Sequence, residues 1–178
     1  MAKRAVWLIS LLSSSAVLAA CASGGSVPRP QPFPGANGPP APREPVSPAA
    51  TTPAASTLIA TALALRGTPY LNGGSEPTGG FDCSGFVQWV FAQNGTPLPR
   101  ETRQQYDAGI RVKRDAIQPG DLVFFETVAR GPSHVGIALG AGDFVHAPSS
   151  RGVVRVESYE SGYWSSRWVG ARRVRSSG

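Results

Sequence analysis

The sequence predicts an α+β domain in which N-terminal helices pack on an antiparallel β-sheet. Three observations predict it. Apolar residues recur at helical spacing in the first half of the compact region, short runs rich in Val, Ile and Phe fill the second half, and turns bearing Gly or Pro punctuate those runs. Helices first and strands afterwards argue for segregated packing, because a parallel sheet would need alternation. The chain has 178 residues and 41% hydrophobic residues, enough for one domain with a real core and too apolar for wholesale disorder. Its 2 cysteines do not make a disulfide scaffold. A spanning helix is not expected, because no uninterrupted apolar stretch of about 20 residues exists.

The composition divides the chain into three parts. Residues 1–20 read as an export signal, with Lys3 and Arg4 ahead of an apolar run that ends in small residues. Leu18-Ala19-Ala20-Cys21 resembles the bacterial lipobox, which implies cleavage before Cys21 and lipidation of its thiol. Two or more acyl chains suffice for stable anchoring, whereas a single chain is marginal. Ala22 stands where Asp is associated with retention at the inner membrane, so the expected location is the outer membrane, facing the periplasm. In a cell without an outer membrane, the same chain would be a cell-surface lipoprotein of the plasma membrane. Residues 21–55 form a tether: ten of the 17 prolines lie between Ala22 and Ala55, with almost no apolar bulk to bury. Extended as polyproline II, it reaches on the order of 100 Å. Residues 56–178 hold the folded domain.

Within that domain, Ser56 is placed to cap a helix running to about Arg66, with Leu58, Ile59, Ala62, Leu63 and Leu65 apolar and Gly67 as its stop. A Gly- and Pro-rich loop follows from Thr68 to Phe81. Asp82 is a good N-cap for a second helix, in which Phe86, Val87, Val90 and Phe91 share one face and Gly95 closes the segment. Thr102 is placed to cap a short third helix ending near Gly109. Strands are expected over Ile110–Lys113, Asp121–Glu126, His134–Leu139, Asp143–Ala147, Val153–Glu157 and Arg167–Val174.

Charge separates few functions. Without Lys3 and Arg4, 15 basic residues face 11 acidic ones, mostly scattered, with only Arg172, Arg173 and Arg175 clustered. That balance carries no nucleic-acid stripe and suits at most mild attraction to an acidic polymer.

The chemistry concentrates on three side chains. Once Cys21 is lipidated, Cys83 has no partner, and a lone thiol in an oxidising compartment is a liability unless buried or used. It follows Asp82, in the first helical turn, where backbone N–H groups and the helix dipole stabilise a thiolate. Gly85 leaves room for another chain to approach. By position alone, Cys83 suits a small buried hydrophobe as well as a nucleophile. The available bases are His134 and His146, twelve residues apart around a turn at Gly140-Ala141-Gly142. An odd loop length puts both rings on one sheet face, whereas a two-residue loop would put them on opposite faces. On one face they suit a base and its orienting partner. Cys, His and His could also form a zinc set with an open fourth position, but no close ligand pair is present to nucleate it, so no metal is expected.

Pro69-Tyr70-Leu71-Asn72-Gly73-Gly74, Gly80-Phe81-Asp82-Cys83-Ser84-Gly85-Phe86-Val87 and Leu98-Pro99-Arg100 occur in an order that resembles the NlpC/P60 family. Pro119-Gly120-Asp121-Leu122-Val123-Phe124-Phe125, His134-Val135-Gly136-Ile137 and Phe144-Val145-His146-Ala147-Pro148 continue the likeness, from about Ser56 to Val174. The resemblance implies a papain-like fold and a bacterial cell-wall cysteine peptidase acting on peptidoglycan stem peptides without a cofactor. It implies Cys83 as nucleophile, His134 as base and then acid, His146 as orienting third member and Tyr70 as a substrate- or oxyanion-binding group. The bonds implied are those on the carboxyl side of γ-D-glutamyl, or D-Ala to diaminopimelate cross-links. Phe86 and Ala138 depart from the family's usual Leu and aromatic, which alters the local pocket shape. Alternatives are an N-acetylmuramoyl amidase or transpeptidase on the same scaffold, and a non-catalytic wall-binding lipoprotein.

Overall fold

A computed structural model of the chain describes residues 52–149 and 152–175. The export signal, Cys21 and nearly all of the tether lie outside the described residues.

The first helix, α1, spans Pro53–Ala64. It begins three residues before the expected cap, because Thr52 is the N-cap, its hydroxyl accepting from the Ala55 N–H at 3.3 Å, and Pro53 occupies the first turn. The expected loop that follows contains a small hairpin, β1 (Ser75–Glu76) and β2 (Gly80–Phe81). Helix α2 spans Cys83–Gln93 with Asp82 as N-cap, and α3 spans Thr102–Asp107. Glu101, not Thr102, is the N-cap of α3, and the Thr102 hydroxyl is used elsewhere.

The six expected strands all form: β3 (Ile110–Val112), β4 (Leu122–Phe125), β5 (His134–Gly140), β6 (Asp143–His146), β7 (Arg155–Ser158) and β8 (Trp168–Arg173). They make one antiparallel sheet in the order β3-β8-β4-β5-β6-β7. The last strand inserts between β3 and β4, so the sheet is a meander with its C-terminal strand folded back into it. A single 3-10 turn (Arg114–Ala116) and a one-turn helix, α4 (Gly162–Ser165), complete the described elements.

Both faces of the sheet are covered. On one, α1 and α2 bring Leu58, Ala62, Phe86, Val87 and Val90 onto Leu122, Phe124, Val135, Ile137 and Val145. On the other, Val123, Phe125, Ala138 and Phe144 pack with Tyr159 and with Trp164 from α4. Burial of both faces explains why β4 reads Leu-Val-Phe-Phe without alternation. The clustered arginines hold this frame together. Arg173 forks onto the buried Asp121 with two bonds of 2.7 Å, tying β8 to the start of β4, and Arg172 lies over the Tyr106 ring at 3.8 Å. Among the described residues no helix is long and apolar enough to cross a membrane.

Candidate active site

The site begins with the cap of α2. One oxygen of Asp82, Oδ1, accepts from the Gly85 N–H at 2.7 Å, and the other, Oδ2, from the Gly73 N–H at 3.0 Å. Arg100 then forks onto both oxygens, at 3.0 and 2.5 Å, and also donates to the Ser84 hydroxyl at 2.8 Å. Asp82 thus caps the helix, holds the 71–74 turn against it and is itself held from the Leu98-Pro99-Arg100 segment. Gly85 is explained by the same turn. A Cβ there would come within 2.1 Å of the Gly74 carbonyl oxygen, so the chain that approaches it is the protein's own.

Cys83 is a free, half-buried thiol in the first turn of α2. The Val135 backbone N–H, one residue after His134 at the start of β5, is among the groups that lower the pKa of its thiol. The Thr102 hydroxyl lies 3.8 Å from Sγ, a contact with no sequence signal beyond a hydroxyl near a helix start. Burial pushes the thiol above its ordinary pKa and the Asp82 charge adds to that. The bonds from Thr102, Val135 and Ser84 pull the other way without overcoming it. The expected resting thiolate is therefore replaced by a neutral thiol at pH 7.

The histidines share a face, for a reason the sequence hides. Gly140 pairs with Asp143, so the turn proper holds two residues, Ala141 and Gly142, with φ of 50° and 81°, a type I′ hairpin. Alone, that turn would put the rings on opposite faces. The register shifts by one between Ala138 and Gly140, leaving Leu139 as a bulge, and beyond it Ile137 pairs with Val145. The extra residue restores the parity. His134 Nε2 and His146 Nδ1 face each other at 2.8 Å.

Both rings are enclosed by aromatics. His134 is 2% exposed and stacks on Trp164, while His146 is fully buried and stacks on Phe144 at 4.5 Å between centroids. Burial lowers the pKa of each. The neighbouring His146 drives His134 further, well below 6.5, whereas Glu157 partly offsets the fall at His146. At neutral pH both are neutral imidazoles.

Beyond the expected residues stands Glu157 on β7. Its Oε2 accepts from His146 Nε2 at 3.0 Å and from Trp164 Nε1 at 2.8 Å, and its Oε1 pairs with Arg155 at 2.9 Å. Burial alone would raise this carboxyl, but the His146, Arg155 and Trp164 partners together hold it below its ordinary value. The sequence signal was slight: a carboxylate inside a strand otherwise bound for burial.

Tyr70 is half-buried, its backbone N–H bonded to the Gly152 carbonyl at 2.8 Å. Its phenol is raised by burial and then by the charges of Cys83 and Asp82. The zinc alternative does not match the geometry: the two imidazoles direct their facing nitrogens at each other, not at a common point. Among the described residues no cluster of three or more His, Cys, Asp or Glu side chains is arranged to hold a metal ion.

A buried imidazole pair beside a thiol at a helix start, on an α+β frame, defines a thiol-nucleophile class of site. A sequence model of the NlpC/P60 family matches residues 67–173, and the chain belongs to that family, a family of cysteine peptidases. The chain is 45% identical over 112 residues to the murein DD-endopeptidase/LD-carboxypeptidase MepS of Escherichia coli K12, covering 62% of this chain and 58% of that protein. It is 38% identical over 120 residues to the γ-DL-glutamyl hydrolase of Bacillus subtilis 168, covering 66% of this chain and 29% of that one. Each match spans less than two thirds of the relative's length. Among solved structures, an NLP/P60-family protein of Staphylococcus aureus Mu50, described as similar to lipoprotein, superposes with a TM-score of 0.62 at 38% identity, over 68% of this chain and 41% of that one.

Proposed function

We propose that this chain is a peptidoglycan endopeptidase that hydrolyses an amide of the stem peptide or its cross-link through an acyl-enzyme on Cys83. The observation that carries the reading is the junction at the start of β5, where the α2 thiol meets the Val135 amide beside a histidine hydrogen-bonded to a second histidine. Relatives named for cutting DD and γ-DL bonds support the substrate class.

The resting pair is a neutral thiol and a neutral imidazole, so His134 acts as a general base. It takes the thiol proton as sulfur attacks the amide carbon, and the negative charge moves to the carbonyl oxygen. The Cys83 backbone N–H at the helix start and the Tyr70 hydroxyl are the donors offered to that oxyanion. Collapse breaks the C–N bond, and the protonated His134 gives its proton to the departing amine. His134 then takes a proton from water, hydroxide attacks the thioester, collapse breaks the C–S bond to release the carboxylic acid, and His134 returns its proton to the sulfur. His146 holds His134 in line throughout.

The export signal, the lipobox-like Leu18-Ala19-Ala20-Cys21 and the tether support a lipoprotein anchored through Cys21, in the outer membrane facing the periplasm. Substituting Cys21→Ser should abolish fatty-acid labelling of the mature protein.

The test of the activity is digestion of purified sacculi followed by mass spectrometry of the products. New termini within the peptide are expected, whereas a free lactyl group would indicate an amidase and new peptide bonds a transpeptidase. Cys83→Ala should release nothing above background, and full turnover by that variant would end the proposal.

A further inference from the structure

The proposed mechanism gives tasks to Cys83, His134, His146 and Tyr70 and leaves Glu157, a carboxylate bonded to the imidazole line, without one. Glu157 sits at the end of a hydrogen-bonded line that runs from His134 through His146 to β7. Trp164 and Arg155 grip the carboxylate from its two oxygens, so its orientation is fixed independently of the imidazoles.

Hydrogen-bond logic then runs outward from the acid. A carboxylate offers lone pairs and no proton, so His146 Nε2 must be the donor in the 3.0 Å bond. A neutral imidazole carries one N–H, so His146 Nδ1 accepts. That atom lies 2.8 Å from His134 Nε2, which must therefore donate. His134 is neutral as well, and its lone pair is left on Nδ1.

We propose that Glu157 is a positioning residue that sets the tautomers of both imidazoles and thereby makes His134 Nδ1 the atom that takes the Cys83 proton. This rests on the reading of Cys83 and His134 as nucleophile and base. When His134 becomes imidazolium during attack, the same line presents a fixed negative charge behind it. A wrong tautomer in such a line costs orders of magnitude in rate, and outer partners that orient an imidazole commonly carry about ten- to hundredfold effects.

The test is tautomer assignment by long-range proton–nitrogen NMR on protein labelled at its two histidines, together with steady-state kinetics on a muropeptide. In the parent protein, both rings should carry the proton on Nε2. Glu157→Ala should mix the tautomers and lower kcat on the order of 10²-fold with KM within about twofold. Glu157→Gln keeps a carbonyl acceptor, so it should retain the tautomers and lose only about tenfold. An Nδ1–H tautomer at His146 in the parent protein would overturn the inference. So would Glu157→Ala with both tautomers and kcat preserved. Should Glu157→Ala fail to fold, the parent tautomers and the Glu157→Gln variant decide the matter. The spectrum needs no substrate, so the stated tautomers without hydrolysis would sink the endopeptidase reading alone, whereas hydrolysis with opposite tautomers would sink this one.

Discussion

The two faces of the six-stranded sheet are made of different material. Toward α1 and α2, the strands present Leu122, Phe124, Val135, Ile137 and Val145, and the contacts are aliphatic and aromatic throughout. Toward α4, they present Phe125, Phe144 and two histidines, closed over by Trp164. The first face needs only volume and apolarity. The second holds titratable groups in a dry pocket, where each polar atom must be matched or it costs stability. Cys83 joins the two, since it leaves the helix-side core at the N-terminus of α2 and meets the strand that carries His134.

The largest expected separation is between Phe124 and His146. Phe124→Ala removes a fully buried ring packed on Tyr106 and should cost about 3–5 kcal/mol of stability, read from urea unfolding. The folded fraction should keep its turnover per molecule. His146→Ala should differ in its turnover per folded molecule, lowering kcat on the order of 10²-fold, about 2.7 kcal/mol in barrier, on top of the stability lost with a fully buried ring. If Phe124→Ala changes kcat as much as His146→Ala does, the division between the faces is wrong.

The cap at the junction should register on both scales. Asp82→Asn keeps a capping oxygen but strands Arg100, and should cost about 1–3 kcal/mol. The same change removes a charge that raises the Cys83 pKa, so the thiol should alkylate faster with iodoacetamide near neutral pH. Slower alkylation would contradict the electrostatic account.

The histidine face should also confer an acid sensitivity that the helix face lacks. Both imidazoles have folded-state pKa values below 6.5, so below that pH the unfolded chain binds protons that the folded one refuses. Stability should therefore fall as pH drops from 6.5, by at most about 1.4 kcal/mol per pH unit for each ring. Urea midpoints at pH 7 and pH 5 measure this, and His146→Gln should make the slope shallower. The smallest effect belongs to Thr102→Val, which removes a long 3.8 Å sulfur contact that lowers the thiol pKa. Its kcat should fall by no more than about fivefold, under 1 kcal/mol.

Much of this was legible in the residues, and the exceptions have physical causes. The strands were marked by their own turns, and the α2 cap by Asp82. The small β1–β2 hairpin is not legible in the sequence, because Ser75–Glu76 and Gly80–Phe81 carry no β-branched residue. Loop length alone does not decide whether the histidines share a face; a bulge at Leu139 does. Bulges arise from tertiary register and leave no local spacing signal. The thiolate expected at a helix start was outweighed by burial, a quantity the sequence does not display. Glu157 escaped notice because its partners His146, Arg155 and Trp164 come from two strands and a one-turn helix.

Replacement of His134 by alanine tests the centre of the account most directly, with hydrolysis of a defined muropeptide followed at pH 7 with and without added imidazole. The account predicts loss of turnover by on the order of 10³-fold or more, partly recovered when free imidazole enters the vacated space between Trp164 and His146. Turnover at the parent rate without imidazole would show that another group takes the proton from Cys83.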